Sequence, residues 1–191
     1  REFLLRLTHM VLSYFGETCF RLQSGDVSIL VDPTSNRLKA DVILKTSAST
    51  GDALSAEGDE VLTEISFPGE YELKGIEVSG FSIPDEDKGK TIKTGYVISW
   101  EDMKFGILPK LSKGIDASFV DKFDDPDVLI IPMGSGGLAG DVAAKFVRQV
   151  EPSVIVPLSE KTSGDFLKAL GKKAEPEEKF VFKKKEIERK K

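Results

Sequence analysis

The 191-residue chain has one histidine, His9, and one cysteine, Cys19. Zinc sites in enzymes are normally built from imidazoles with a carboxylate or thiolate, and this chain has almost nothing of that kind to offer. A histidine general base is equally unavailable, which removes Ser-His-Asp and Cys-His mechanisms. Any catalysis must then run on carboxylates, Lys, Tyr, Ser or a hard, oxygen-bound cation. A lone cysteine permits no intramolecular disulfide, so a reducing, cytoplasmic setting is the expectation. The sequence also lacks any apolar run of about 18 residues, so no membrane-spanning helix is expected. The opening REFLLRLTHM is short and wrongly flanked for a signal peptide. Glu2-Phe3 and His9-Met10 read as restriction-site translations, which makes residues 1–9 a cloning remnant in this reading and Met10 the start.

What is present is acidic. The formal net charge is -5, and the last nine residues, KKKEIERKK, carry six positive and two negative side chains, leaving -9 for the rest. Such a body repels a phosphate backbone, so no nucleic-acid partner is expected for its main surface. The expected partner is a small-molecule substrate or ligand, with a homo-oligomer also compatible. Hydrophobic residues make up 40% of the chain, enough for one well-filled core. The expected organisation is therefore a single domain over residues 10–182 and a basic tail over 183–191.

The first third reads as strands and tight turns. Val11 to Phe15, Thr18 to Gln23 and Val27 to Asp32 alternate or run apolar, with Ser24-Gly25-Asp26 turning between the second and third. Asp41 to Thr46 and Leu62 to Phe67 supply further strands, and Glu70 to Ile83 a longer stretch interrupted at Gly75 and Gly80. Gly95 to Trp100 and Lys104 to Leu108 form a hairpin across Glu101-Asp102. The rhythm then changes. Ile115, Phe119, Val120 and Phe123 recur at helical spacing, and Asp127 to Met133 is a buried strand. A helix over Asp141 to Val150, a strand over Val154 to Leu158 and a short helix over Phe166 to Leu170 follow. Strand, helix, strand implies parallel pairing, so the fold class is α/β with mixed sheets covered by helices.

At this point the chain resembles a known family. YFGETCFRLQSGDVSILVDP is similar to the opening of metallo-β-lactamase-fold hydrolases, in particular the small bacterial branch related to ascorbate-phosphate lactonases. The likeness continues through FPGEYELKGIEVSG, YVISWEDMKFGIL, DVLIIPMGSGG and PSVIVPLS, in the right order. It implies an αββα sandwich, two mixed sheets face to face with helices outside. In that family a Thr-His-x-His-x-Asp-His loop grips two metals and activates a bridging water. Laid over TSASTGD, the histidines become Ser47, Ser49 and Asp52 and the aspartate becomes Gly51. The resemblance also places Lys110 where a bridging carboxylate belongs, Ser159 where the final histidine stands, and Glu17 where relatives often have histidine; Asp85 falls near another lost ligand. An ammonium at position 110 repels cations, so no metal or other cofactor is expected.

The candidate catalytic residues are therefore Glu17, Asp52 and Lys110, and the candidate substrate-binding residues are Asp32, Ser47, Ser49, Asp85 and Ser159. Glu17 and Asp52 would make a carboxylate pair for general acid and base work, with Lys110 keeping one member ionised. Glycoside hydrolysis requires such a pair, which makes a metal-independent hydrolase acting on glycosidic or similar bonds the first expectation. The alternative is a non-catalytic binder of a small anionic metabolite or a protein partner. A third expectation is a Mg²⁺ or Ca²⁺ site made by Asp32, Asp52 and Asp85. MGSGGLAGD, Met133 to Asp141, resembles a phosphate-cradling loop but lacks the Lys-Ser/Thr ending of a P-loop.

Overall fold

A computed structural model of the chain describes residues 9–51, 64–84, 89–159 and 163–188. Apolar alternation in the first three strands, β1 (Met10–Gly16), β2 (Cys19–Ser24) and β3 (Val27–Val31), turns one face inward and forms an antiparallel meander. Gly25, at φ +56°, opens the two-residue turn between β2 and β3, a backbone that glycine adopts without strain. The chain then adds β4 (Val42–Leu44) parallel to β3 and β6 (Glu64–Ile65) parallel to β4. The last strand, β13 (Lys179–Phe182), returns to pair antiparallel with β1. The order of this first sheet is β13-β1-β2-β3-β4-β6.

The second sheet is built from β7 (Gly69–Leu73), β8 (Ile76–Ile83), β9 (Thr91–Trp100), β10 (Met103–Ile107), β11 (Val128–Pro132) and β12 (Val154–Leu158), in the order β12-β11-β10-β9-β8-β7. Two of its turns use adjacent residues at positive φ, Lys74-Gly75 and Glu101-Asp102, the twist that matches a two-residue hairpin. Helix α1 (Gly140–Val150) connects β11 to the parallel β12. It buries Ala143, Ala144, Phe146, Val147 and Val150 against the outer face of the second sheet. Each of its large apolar side chains contributes about 1.5–3 kcal/mol on burial. Helix α2 (Gly164–Ala169) packs beside it through Phe166. The main core, including Phe20, Leu22, Ile98, Phe105 and Phe182, lies between the sheets. This is the mixed two-sheet sandwich that the sequence implied.

Three features differ from the sequence reading. Ser47 to Ser49, expected within a loop, form a strand, β5, that pairs antiparallel with β9. Ile115 to Phe123 make two 3₁₀ turns, Ala117–Phe119 and Asp121–Phe123, and the left-handed Asp124 ends the second. Beyond β13, four residues of the basic tail form α3 (Lys184–Ile187), and Ile187, 6% exposed, enters the main core. Among the described residues no helix is long and apolar enough to cross a membrane.

Candidate functional site

The three parallel strands β10, β11 and β12 end on one side of the second sheet, where open α/β sheets present their ligand crevices. Pro132 ends β11 and Met133 follows it, Lys110 follows β10, and Ser159 follows β12. Across the sandwich stands the turn between β1 and β2, Glu17-Thr18. These segments enclose a cleft of about 620 Å³, within the range of small-ligand sites. Glu17, Lys110 and Ser159 line it, so three of the eight candidate residues are brought together. Tyr14, Thr18, Ser135, Ser163 and Asp165 line it too.

The glycine-rich segment sets the floor. Gly134 accepts from the amide of Gly137 at 2.8 Å, and Gly136 between them has φ +73°. That is the third position of a turn, where positive φ favours glycine. A Cβ on Gly137 would meet the carbonyl oxygen of Gly134 at 2.9 Å, so no larger residue fits. The Cε of Lys110 lies 3.9 Å from where a Cβ on Gly136 would stand, which puts the lysine stem across this turn. Helix α1 follows directly, and its N-cap, Ala139, makes no side-chain capping bond. The helix therefore offers amide groups and a partial positive charge at the cleft wall. Gly140 is held close to α2, since a Cβ there would sit 2.7 Å from the amide nitrogen of Phe166.

Glu17 occupies the left-handed region at φ +51°, a conformation that costs a non-glycine residue about 1 kcal/mol. Its carbonyl accepts from the Tyr14 hydroxyl at 3.2 Å, and its side chain is exposed. Asp32 is placed differently. Its two carboxylate oxygens accept from the amide of Thr46 at 2.7 Å and from the Thr46 hydroxyl at 2.6 Å. Burial pushes its carboxyl above the ordinary range, opposed by the bonds from Thr46 and Thr18 and by the charge of Lys93. Asp32 thus clasps the point where the chain leaves β4 and crosses to the second sheet. The same crossing is held by Tyr96, whose hydroxyl donates to the Lys45 carbonyl at 2.8 Å, and by the Thr94 amide, which donates to the Thr46 carbonyl at 2.9 Å.

Ser47 and Ser49 sit on β5 with exposed side chains, while Ala48 between them is buried; neither serine lines the cleft. Asp52 and Asp85 lie outside the described residues. The pairing of Glu17 with Asp52 and the three-aspartate cation site therefore have no described geometry. The carboxylate that the structure does set in the cleft with Glu17 is Asp165. Sequence reasoning missed it, along with Ser163; the Ser163-Gly164-Asp165 run that caps and opens a helix was the available signal.

A metal centre needs several imidazole, carboxylate or thiolate donors converging. Among the described residues no three of His, Cys, Asp and Glu do so. Cys19 is wholly buried, Asp32 is engaged by Thr46, and the Lys110 ammonium stands in the cleft itself. The described donor set does not fit a metal.

Comparison with known proteins agrees with the architecture. The family model described as a Beta-lactamase superfamily domain matches residues 11–159. A UPF0173 metal-dependent hydrolase of Methanopyrus kandleri is 21% identical over 193 residues, covering 78% of this chain and 83% of that protein. The metallo-beta-lactamase fold protein YhfI from Bacillus subtilis superposes with a TM-score of 0.68 at 12% identity, over 92% of this chain and 99% of that one. Igni18, a metallo hydrolase from Ignicoccus hospitalis, superposes with a TM-score of 0.67 at 19% identity, with the same coverage.

Proposed function

The chain belongs to the Beta-lactamase superfamily domain family, and we propose that within it this protein binds a small hydroxylated anion in the cleft without the metal centre that its relatives' names imply. The observation that carries this reading is Lys110, a fixed cation laid across the glycine turn at the wall formed by the start of α1. A phosphate or carboxylate group there meets an ammonium and uncapped helix amides. Glu17 and Asp165 share the cleft and repel a bare anion, so the ligand must also bring O–H or N–H donors for them. Polyol phosphates and sugar acids have both features.

Glycerol 3-phosphate, with inorganic phosphate beside it, is the direct probe in a titration calorimeter. Binding of glycerol 3-phosphate should weaken at least tenfold in Lys110→Met, a change of about 1.4 kcal/mol. Affinity unchanged in that variant sinks the assignment.

A second reading, metal-free hydrolysis of glycosidic or ester bonds, is favoured by the placement of Glu17 in the same cleft as Lys110. There Glu17 serves as general acid or base and Lys110 stabilises developing negative charge. Turnover of chromogenic glycosides and esters in EDTA, lost in Glu17→Gln, is the expected result for it. Turnover that survives that substitution removes Glu17 from the role.

A further inference from the structure

The sandwich is open along one flank. Among the described residues, strands β12 and β13 are the outermost strands of their respective sheets, and neither has a further neighbour in its sheet on that side. Residues 154–157 of β12 are half-buried, whereas β11 beside it is buried throughout. Between the two edges runs a groove of about 500 Å³, walled by Leu12, Val156, Pro157, Leu167 and Phe180. Tyr14, Ser159 and Ser163 line both this groove and the Lys110 cleft, so the two cavities meet.

Charge gives the joined trough a direction. Lys110 stands in the cleft, and Glu175 and Glu177 stand along the groove. An anionic group is favoured at the lysine and disfavoured in the groove, while apolar walls favour hydrocarbon there. The hydroxyls of Tyr14, Ser159 and Ser163 mark the change from one to the other. A ligand that fills both parts needs a charged, hydroxylated head and an aliphatic chain.

Resting on the reading of the cleft as a site for a hydroxylated anion, we propose that the ligand is a single-chain amphiphile, its head at Lys110 and its chain along the groove between β12 and β13. The class is that of monoacylated polyol phosphates.

The test is a calorimetric series on the full chain, below the micellar range: glycerol 3-phosphate, its 1-hexanoyl, 1-octanoyl and 1-decanoyl esters, and decanol. A fully buried methylene corresponds to about a fourfold gain in affinity, and a groove open on one side to about half the free energy, or roughly twofold. Affinity should therefore rise about two- to fourfold per added CH₂, and Leu167→Ser should flatten the rise. Lys110→Met should weaken every phosphate by a similar factor. The wild-type series alone decides the matter if the Leu167 variant fails to fold. Glycerol 3-phosphate that binds through Lys110 while chain length adds nothing overturns the amphiphile and leaves the cleft assignment standing. Decanol that binds as well as the decanoyl ester also overturns it, since the head would then contribute nothing. No binding by any phosphate overturns both. A dimer in sedimentation that persists when the esters are added, with a flat chain-length series, assigns the groove to a second copy and overturns the proposal.

Discussion

Removing the clasp at Asp32 gives the sharpest test of how the crossing between the two sheets is held. Asp32 accepts two short bonds from Thr46, itself 3% exposed, and bonds to charged acceptors contribute about 1.5–3 kcal/mol each. Burial nevertheless raises the Asp32 carboxyl above its ordinary value of 3.8, so its neutral form is more favoured in the folded chain than in the unfolded one. Asp32→Asn keeps the shape, accepts from the Thr46 amide and donates to the Thr46 hydroxyl, and should change stability by less than about 1 kcal/mol. Asp32→Ala leaves both Thr46 groups without a partner and should cost about 3 kcal/mol, or roughly 6–12 °C in melting temperature for a chain of this size. Urea denaturation measures the difference. The pH dependence carries a sign. Because the folded value lies above the unfolded one, the contribution of Asp32 is fully present below pH 3.8 and is lost as pH rises through the folded value. The stability of wild type minus that of Asp32→Asn should therefore fall with rising pH across that interval, a subtraction that cancels other titrating groups such as Asp41, which Lys74 and Ser28 hold low. An asparagine variant as damaged as the alanine variant, or a difference that rises with pH, refutes the reasoning.

Glu17→Gly should relieve the left-handed backbone at that turn and stabilise the fold by up to about 1 kcal/mol, read as a melting temperature about 2–4 °C higher. Gly140→Ala drives a methyl group into the backbone at Asp165 and Phe166 and should cost about 1–3 kcal/mol by chemical denaturation. Excess zinc should leave the melting temperature unchanged, whereas a ligand at a hundred times its Kd stabilises by about 2.7 kcal/mol, so a rise of several degrees would mean that the protein holds a zinc site after all.

The main strands and α1 were legible because their signals are long and redundant, and the resemblance then implied the sandwich. Val128 to Pro132 is buried at every residue, and α1 repeats its apolar face over three turns. β5 was not legible, since Ser47-Ala48-Ser49 has one small apolar residue and no run on either side. It becomes a strand because β9 extends past the end of β10 and leaves Thr91 to Lys93 to be paired, a tertiary cause that three residues do not announce. The 3₁₀ turns misled for a related reason: helical spacing was present, but two left-handed residues, Asp124 and Asp125, and then Pro126 stop the helix. Of the residues that the resemblance put at the site, Glu17, Lys110 and Ser159 line one cleft. Ser47 and Ser49 lie outside that cleft, on β5, where the pairing with β9 buries Ala48 and leaves both serines exposed.

The pairing of β13 with β1 bears on how the molecule emerges from the ribosome. Val11 is matched to Val181 and Leu12 to Phe180, so one edge of the β1–β2 hairpin waits for a strand made more than 160 residues later. At roughly 5–20 residues per second, the interval from Gly16 to Phe182 is about 8–33 s. Throughout it a nascent chain displays an unpaired strand beside apolar groove walls, open to neighbouring nascent chains on the same message. A synonymous slowdown just before the codon for Lys179 should lengthen that exposure and raise the insoluble fraction without altering one residue of the finished protein.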